Sequence, residues 1–264
     1  MAEIQIRLAR RDEREALILI DRDTFWGIDD PCDVPLVTHK MLDSADYMPE
    51  LHFAAEVDGI LAGHILYSRS KIVAPDGSET AIVSFGPLSV LPQYRNIGVG
   101  KALLRRSLDE ACAQGHSAVA ILGEPDYYPS VGFLRGGDCG LTVMQGKTFD
   151  ALMVYPLYEG ALDGISGELI ESEVFDDLPL AEVEALNATL PPREPPVMAA
   201  IEVLLPHLSP EAAEAIRKAE IPTLSEFRKL SGREALRMFN FSPSDRLKIN
   251  EVMETHGFGK KTWN

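Results

Sequence analysis

The residues at the beginning of the chain follow first a strand period and then a helix period. The stretch "EIQIRLA" alternates apolar and polar residues, which is the pattern of a half-buried strand. Asp12 follows, and Glu15 stands three residues later, a pairing that indicates the start of a helix over "EREALILIDRDTF". This region therefore predicts one strand followed by one helix.

Turn residues then separate three apolar stretches. An Asp58-Gly59 turn joins "FAAEV" to "ILAGHILYSRSKIV", which together predict a β-hairpin. A second turn, "PDGSE", leads into "TAIVSFGPLSVLP", where β-branched and apolar residues predict a third strand.

The next apolar positions recur at helical spacing and predict a helix that ends near Gly115, where a C-cap glycine belongs. Its apolar face is expected to hold Leu103, Leu104, Leu108, Ala111 and Cys112, with Cys112 as a small core residue. "SAVAIL" then predicts a strand buried on both faces, "YYPSVGF" a short helix at most, and "FDALMVYPL" another strand. The order β-α-β-β-β-α-β-α-β predicts an α/β domain with a mixed sheet flanked by helices.

The last third of the chain has a different pattern. "LPPREPPV" at residues 190–197 is proline-rich and predicts a semi-rigid spacer. Four short helical stretches follow it, and their predicted N-caps are Ser209, Thr223 and Ser231. We therefore predict an α/β domain over residues 1–177, an acidic, proline-rich linker over 178–197 and a small all-α module over 198–264.

Composition limits the classes of function. The net charge of −16 disfavours unspecific binding to nucleic acid, whose phosphates need cationic partners. No apolar run approaches the length of a membrane span, and the first residues lack the apolar core of a signal peptide. Three scattered cysteines are consistent with a reducing compartment, and the six histidines have no metal-ligand spacing. We expect a cytoplasmic protein without a metal or a membrane contact.

The stretch "YRNIGVGKALL" carries the clearest chemical signal. Gly98 and Gly100 stand just before the predicted helix, with Arg95 and Lys101 on either side. A helix N-terminus presents unpaired N–H groups and partial positive charge, and glycines let the backbone close around an anion. The spacing therefore predicts a phosphate-binding turn, with the two basic side chains adding mobile positive charge at its rim.

Two common phosphate-binding motifs do not fit this turn. A P-loop requires a Ser or Thr after its Lys, but Ala102 follows Lys101, and no glycine stands five residues before Gly100. A Rossmann turn requires three glycines directly after the strand, whereas six residues, Pro92 to Ile97, intervene here. The remaining pattern is R-x-x-G-x-G after a strand that ends in V-x-P.

This pattern resembles the acetyl-CoA signature of the GCN5-related N-acetyltransferase (GNAT) superfamily, Q/R-x-x-G-x-G/A. The neighbouring features occur in the same order as in that superfamily: an apolar strand, the signature, an amphipathic helix, a buried strand and "Y-x-x-x-G-F" at Tyr128–Phe133. The stretches "GPLSVLPQYRNIGVG", "GEPDYYPSVGF" and "EGALDGISGEL" are particularly similar to the YhbS-like branch. The resemblance covers residues 1 to about 177 and implies a GNAT fold with a centrally splayed sheet.

The resemblance also implies the reaction and the site. Acetyl-CoA would be the cosubstrate, and an amine of a small molecule or peptide would attack its acetyl group directly. The pantetheine arm would pair with the strand residues Leu88, Ser89 and Val90. The pyrophosphate would bind the loop residues Arg95, Asn96, Ile97, Gly98, Val99, Gly100 and Lys101.

The acid and base of this reaction are less clear from the sequence. Tyr128 occupies the position of a general acid for the leaving thiolate, with Tyr127 as the alternative. Glu124 is one candidate for the base that deprotonates the amine, and Ser84 or Ser89 would order a water molecule instead.

The C-terminal stretch at residues 221–259 resembles a second family, the C-terminal domain of the bacterial RNA polymerase alpha subunit. The shared features are "I-x-T-L", "L-S", "NF" and a terminal "G-F-G", but Ser242-Pro243 replace the glycine that usually follows "NF". This departure puts contact with DNA in doubt, and docking of a protein, dimerisation or covering of the catalytic domain are the other expectations.

Two functions of different classes therefore remain. The first is an acetyl-CoA-dependent N-acetyltransferase with an added helical module. The second is a catalytically weak acyl-CoA-binding protein that acts through its C-terminal helices on a protein partner or on DNA.

Overall fold

The computed structural model describes residues 2–26, 31–125, 127–144, 146–192, 200–230, 232–255, 261 and 263, without the side chains of Ser225, Lys229, Arg233 and Glu254. The chain forms two compact units. The first comprises Met1–Gly123 and Val131–Arg193, and the second comprises Glu124–Ser130 and Glu194–Asn264. The segment predicted as a linker contains a helix, Leu180–Thr189, within the first unit. The domain limits drawn from the sequence stay predictions.

A nine-stranded mixed sheet forms the centre of the first unit, in the order β1-β2-β3-β4-β5-β8-β6. β9 pairs with β3, and β7 pairs with β9. The strands are β1 (Ile4–Leu8), β2 (Phe53–Val57), β3 (Ile60–Val73), β4 (Glu79–Val90), β5 (Ala118–Leu122), β6 (Leu134–Arg135), β7 (Leu141–Thr142), β8 (Leu152–Pro156) and β9 (Gly167–Ile170). The predicted hairpin is β2–β3, and the short strands β6, β7 and β9 carried no clear sequence signal.

The sheet opens between β4 and β5. These two strands are parallel and share one register pair, Val83 opposite Val119, whereas β3 and β4 stay paired from Glu79 to Val90. The carboxyl half of β4 therefore presents an edge towards the opening. This is the splayed sheet that the sequence resemblance implied.

Within the described residues, the α-helices of the first unit are α1 (Arg14–Phe25), α2 (Val34–Met41), α3 (Val99–Ala113) and α4 (Leu180–Thr189). α1 packs over β3 and β4, and α3 packs over β1, β2 and β3. The buried face of α3 holds Val99, Leu103, Leu104, Leu108 and Ala111. The expectation for Cys112 is wrong, since it is exposed and its thiol donates to the Leu157 carbonyl at 3.3 Å. One residue past Ala111 turns it by about 100° around the helix axis, away from the core.

The second unit contains the helices α5 (Pro210–Lys218), α6 (Leu224–Lys229), α7 (Gly232–Phe239) and α8 (Pro243–Thr255). They enclose an apolar core whose largest members are Phe227, Phe239 and Phe241. The predicted caps Ser209 and Thr223 accept hydrogen bonds from Ala212 N and Glu226 N, while Ser231 lies outside the described residues.

A capping box begins α8 at the unusual Ser242-Pro243 pair. The Ser242 hydroxyl accepts from Asp245 N at 3.1 Å, and the Asp245 carboxylate accepts from Ser242 N at 3.0 Å. Asp245 also accepts from Ser209 N at 2.8 Å, which ties the starts of α5 and α8 together.

Candidate active site

The turn before α3 has the backbone geometry of an anion-binding loop. Asn96 and Gly98 adopt left-handed conformations, with φ of 64° and 99°. Gly98 is the N-cap of α3, and a Cβ at this position would lie in open space, so its left-handed φ is what favours glycine. Backbone N–H groups in such turns form concave sites for anions.

The first N–H groups of α3 complete this loop. Ala102 N donates to the Gly98 carbonyl at 3.0 Å, which is the first helical bond. The N–H groups of Val99, Gly100 and Lys101 precede that bond, so they have no carbonyl one helical turn behind them. The Lys101 side chain and the loop residues Asn96 and Ile97 are exposed. The helix start therefore combines N–H donors with one solvent-accessible positive charge.

Arg95 does not behave as the mobile charge that the sequence suggested. Its Nη2 donates to the Thr24 carbonyl at 2.6 Å, and its Nε donates to the Val90 carbonyl at 3.3 Å. The backbone N–H of Arg95 is also engaged, by the Pro92 carbonyl at 3.2 Å. Arg95 therefore links the end of β4 to the end of α1, because its planar guanidinium has several N–H donors and can bond the Val90 and Thr24 carbonyls at the same time.

The predicted strand residues divide between the interior and the opening. Leu88 and Val90 are partly buried, whereas Ser89 is completely buried. On the β3 side these residues lie opposite Ile65, His64 and Gly63. The Ser89 side chain thus lies in the interior. A ligand could contact β4 here only through the backbone groups on the edge that faces away from β3.

Ser89 is one end of a buried hydrogen-bonded chain that the sequence did not reveal. Its hydroxyl donates to Asp21 Oδ1 at 2.5 Å, and Asp21 Oδ1 also lies 2.7 Å from His64 Nε2. His64 Nδ1 is 3.2 Å from His52 Nε2, and His52 Nδ1 is 2.8 Å from the Tyr47 hydroxyl. Asp21, His52, His64 and Ser89 are all at most 1% exposed.

Two neutral imidazoles satisfy every link of this chain. Tyr47 then donates to His52, His52 donates to His64, and His64 donates to the Asp21 carboxylate. Burial, together with the neighbouring His64, lowers the pKa of His52 well below its usual 6.5, which agrees with a neutral ring. This hydrogen-bonded chain therefore ends at the Asp21 carboxylate, which accepts from His64 of β3 and Ser89 of β4.

A second polar contact lies where β4 leaves β5. The buried Ser84 hydroxyl donates to the Ala120 carbonyl of β5 at 2.6 Å, and Ser84 also lowers the pKa of the Glu171 carboxyl against the larger rise that burial causes. Glu171 directly follows β9, in a region that sequence patterns did not single out. No local signal marks it, since its partner is 87 positions earlier in the chain.

The predicted acid and base candidates lie in the segment grouped with the second unit. Tyr128 begins a short 3-10 helix, Tyr128–Val131, and its ring packs edge-on against Tyr127 at a centroid distance of 5.1 Å. The backbone N–H of Tyr128 donates to the Glu124 carbonyl at 3.2 Å. The charge of Glu124 acts on the Arg228 guanidinium, whose pKa is lowered by burial. Glu124 therefore has an ionic neighbour in its own unit.

Two further searches used the described residues only. No group of three or more His, Cys, Asp or Glu side chains within them is arranged to hold a metal ion. None of the helices formed by these residues is long and apolar enough to cross a bilayer.

The sequence is similar to a known family and to two curated proteins. Residues 19–137 match the model of the acetyltransferase (GNAT) family. The chain is 32% identical over 94 residues to the uncharacterized N-acetyltransferase YjhQ of Escherichia coli K12, covering 36% of this chain and 51% of that protein. It is 28% identical over 123 residues to the uncharacterized N-acetyltransferase YhbS of the same strain, covering 47% and 72%. The chain thus spans about half the length of YjhQ.

Two solved structures share the fold. The GNAT family N-acetyltransferase YhbS from Escherichia coli, in complex with CoA, has a TM-score of 0.60 and 24% identity, covering 68% of this chain and 96% of that one. A GNAT family acetyltransferase from Brucella melitensis, in complex with acetyl-CoA, has a TM-score of 0.51 and 22% identity, covering 66% and 99%.

Residues 19–137 therefore match the GNAT acetyltransferase family, and the first unit has the GNAT fold. The predicted fold class and the similarity to YhbS are confirmed. The family match ends at residue 137, so it does not bear on the C-terminal helices.

Proposed function

We propose that this protein binds acetyl-CoA along β4 and at the start of α3, and that it transfers the acetyl group to an amine. The observation that carries the proposal is the left-handed loop at Asn96 and Gly98, which follows directly from the strand edge that β5 leaves open. Two proteins of the same fold are known in complex with CoA and with acetyl-CoA, which supports the choice of cosubstrate.

Each part of acetyl-CoA has a matching group in the chain. The N–H groups of Val99, Gly100 and Lys101, together with the Lys101 charge, suit the pyrophosphate. The outer backbone edge of Leu88–Val90 suits the amides of the pantetheine arm, as a neighbouring strand would. The thioester then lies in the opening between β4 and β5, where an amine acceptor has access to it.

The reaction is a direct transfer. The lone pair of a neutral amine attacks the acetyl carbonyl carbon, the C–N bond forms, the C–S bond breaks, and the thiolate takes up a proton. Tyr128 is proposed as the donor of that proton. The acceptor is a primary amine of a small molecule or a peptide.

The experiment that tests cosubstrate binding compares two glycine variants. Gly98 and Gly77 both have positive φ, 99° and 84°, and a Cβ would meet nothing within 4 Å at either position. Alanine at each site therefore imposes a similar backbone strain of about 1–2 kcal/mol, but only Gly98 lies in the proposed phosphate loop. We expect calorimetry to show acetyl-CoA affinity at least about tenfold weaker in Gly98→Ala and unchanged in Gly77→Ala. Equal affinity in both variants would refute the assignment.

The same measurements address the alternative function. Tight binding of acetyl-CoA without thiol release in the presence of amines would favour an acyl-CoA-binding protein that acts through the second unit. The resemblance of residues 221–259 to the RNA polymerase alpha C-terminal domain stays a prediction, and a salt-dependent mobility shift with duplex DNA would support its DNA version.

A further inference from the structure

Glu171 lies beside the opening of the sheet because of how the chain leaves β9. Ile170, the last residue of β9, pairs with Lys71 of β3, and Glu171 follows it. Ser172 then caps a single 3-10 turn, Glu173–Phe175. The Phe175 ring lies against Gly86 of β4, where an added Cβ would be 3.0 Å from its Cε1 atom. The segment after β9 thus crosses the sheet to the part of β4 that has left β5.

The surroundings of the Glu171 carboxyl favour its neutral form. The Ser84 hydroxyl has one proton and two neighbouring acceptors, the Ala120 carbonyl and the Glu171 carboxyl. Burial raises the pKa of Glu171 to about 7, Ser84 opposes this rise, and the negative charge of Asp176 adds to it. Glu171 is partly buried, so its carboxyl is shielded from much of the bulk water while part of the residue remains accessible.

These observations define a group that suits proton abstraction at neutral pH. A carboxyl group with a pKa near the working pH is ionised in a large fraction of molecules and is a stronger base than an ordinary glutamate. An amine acceptor is mostly protonated at pH 7, so the transfer requires such a base.

We propose that Glu171, oriented by Ser84 at the opening between β4 and β5, is the general base that deprotonates the acceptor amine. This inference rests on the proposed acetyl transfer and adds to it the residue that prepares the nucleophile.

The proton balance of the step is as follows. The Glu171 carboxylate takes one proton from the ammonium group and leaves a neutral amine. Attack on the carbonyl carbon forms the C–N bond, and the attacking nitrogen then loses a second proton to solvent, from which Tyr128 regains the proton that it gives to the thiolate. The C–S bond breaks, and the departing thiolate receives one proton to become the CoA thiol. Glu171 releases its proton to solvent before the next turnover, so one proton is released overall.

The other carboxylates near the site are less suited to this role. Asp21 is completely buried, and its Oδ1 already accepts from Ser89 and His64. Glu124, the candidate from the sequence, already interacts electrostatically with the Arg228 guanidinium.

A binding experiment tests the position of Glu171 without requiring a known acceptor. Acetyl-CoA binding is measured by calorimetry at pH 7 in buffers of different ionisation enthalpy, which gives the number of protons taken up. A cosubstrate that covers Glu171 removes more water from it and raises its pKa further, so wild-type protein should take up a fraction of a proton. Glu171→Gln should bind acetyl-CoA with similar affinity and without that uptake. Glu173→Gln, two positions later and exposed, is the matched control and should behave as wild type.

A turnover experiment tests the chemical role. Release of the CoA thiol is followed with water, with spermidine and with a lysine-containing peptide as acceptors. We expect Glu171→Gln to lower the rate by about 100-fold or more and to remove the rise in rate through about pH 7 that wild type shows. Glu173→Gln should keep both the rate and the pH profile.

The outcomes separate the two proposals. Three results would overturn the role of Glu171 while leaving acetyl transfer intact. They are equal proton uptake in wild type and Glu171→Gln, no proton uptake in wild type, and an unchanged rate and pH profile in Glu171→Gln. Failure of wild type to bind acetyl-CoA, or to release thiol with any of these acceptors, would overturn the proposed function itself, and the base assignment with it.

Discussion

The buried His52 makes the stability of the first unit depend on pH. His52 is 1% exposed, and its Nε2 lies 3.2 Å from His64 Nδ1, a separation that a proton on only one of the two nitrogens satisfies. The pKa of His52 is well below 6.5 in the folded protein, and it returns to about 6.5 on unfolding. The unfolded chain therefore binds more protons than the folded chain in acid, so stability is present above pH 6.5 and is lost as the pH falls.

The size of this effect follows from the proton difference. One proton taken up on unfolding corresponds to a limiting slope of about 1.4 kcal/mol per pH unit. For an unfolded pKa of about 6.5 and a folded ring that stays neutral, the loss between pH 7.5 and pH 5.0 is about 2 kcal/mol. His116 is only partly buried, but burial lowers its pKa too, so it adds a loss of the same sign.

Urea unfolding followed by circular dichroism at pH 7.5 and pH 5.0 isolates the share of His52. In His52→Gln the amide retains hydrogen-bonding capacity but does not titrate, so its stability should fall by about 2 kcal/mol less than that of wild type. His207→Gln, at an exposed position in the second unit, is the control and should follow wild type. If wild type and His52→Gln lost the same free energy over this range, the buried histidine pair would not be the source of the pH dependence.

Two further predictions concern the site itself. A Cβ at Gly63 of β3 would clash with the Ser89 carbonyl oxygen, and no side-chain rotamer relieves a clash with the backbone. Gly63→Ala should therefore destabilise the protein by about 1–3 kcal/mol in urea unfolding and weaken acetyl-CoA binding by displacing β4. Unchanged stability would mean that β3 and β4 separate freely at this position. Tyr128→Phe removes only a hydroxyl, so acetyl-CoA affinity measured by calorimetry should be unchanged, while thiol release should slow by about 100-fold. A rate of thiol release equal to that of wild type would show that Tyr128 is not the general acid.

Local sequence patterns were sufficient for most of the longer elements and for the turn before α3. Apolar patterns predicted β1 to β5, α1 and α3, and the glycine spacing predicted a turn before α3, in which the structure shows Gly98 to be left-handed. Ser209 and Thr223 were recognised as caps from their own residue type and the glutamate that follows each. All of these depend on interactions between residues only a few positions apart, which a pattern in the sequence records directly.

Only the tertiary structure determined which polar groups meet. His64 is 43 positions from Asp21, Ser89 is 68 positions from it, and neither spacing has a period that predicts contact. Arg95 was expected to be mobile, but folding brings the carbonyls of Thr24 and Val90 to its guanidinium. In the sequence, nothing distinguishes Glu171 from the other acidic residues around it. Only the fold buries it and brings it near Ser84.

The physical reason is the range of the interactions involved. Secondary structure follows from backbone conformation and from burial that repeats along each element, both of which are written in neighbouring residues. The protonation state of a carboxyl or an imidazole depends on the water that is excluded around it and on the charges that face it, and both come from distant parts of the chain. The sequence by itself therefore determined most of the scaffold and the turn before α3, and the packing of β4 against β3 and α1 determined which buried polar groups meet.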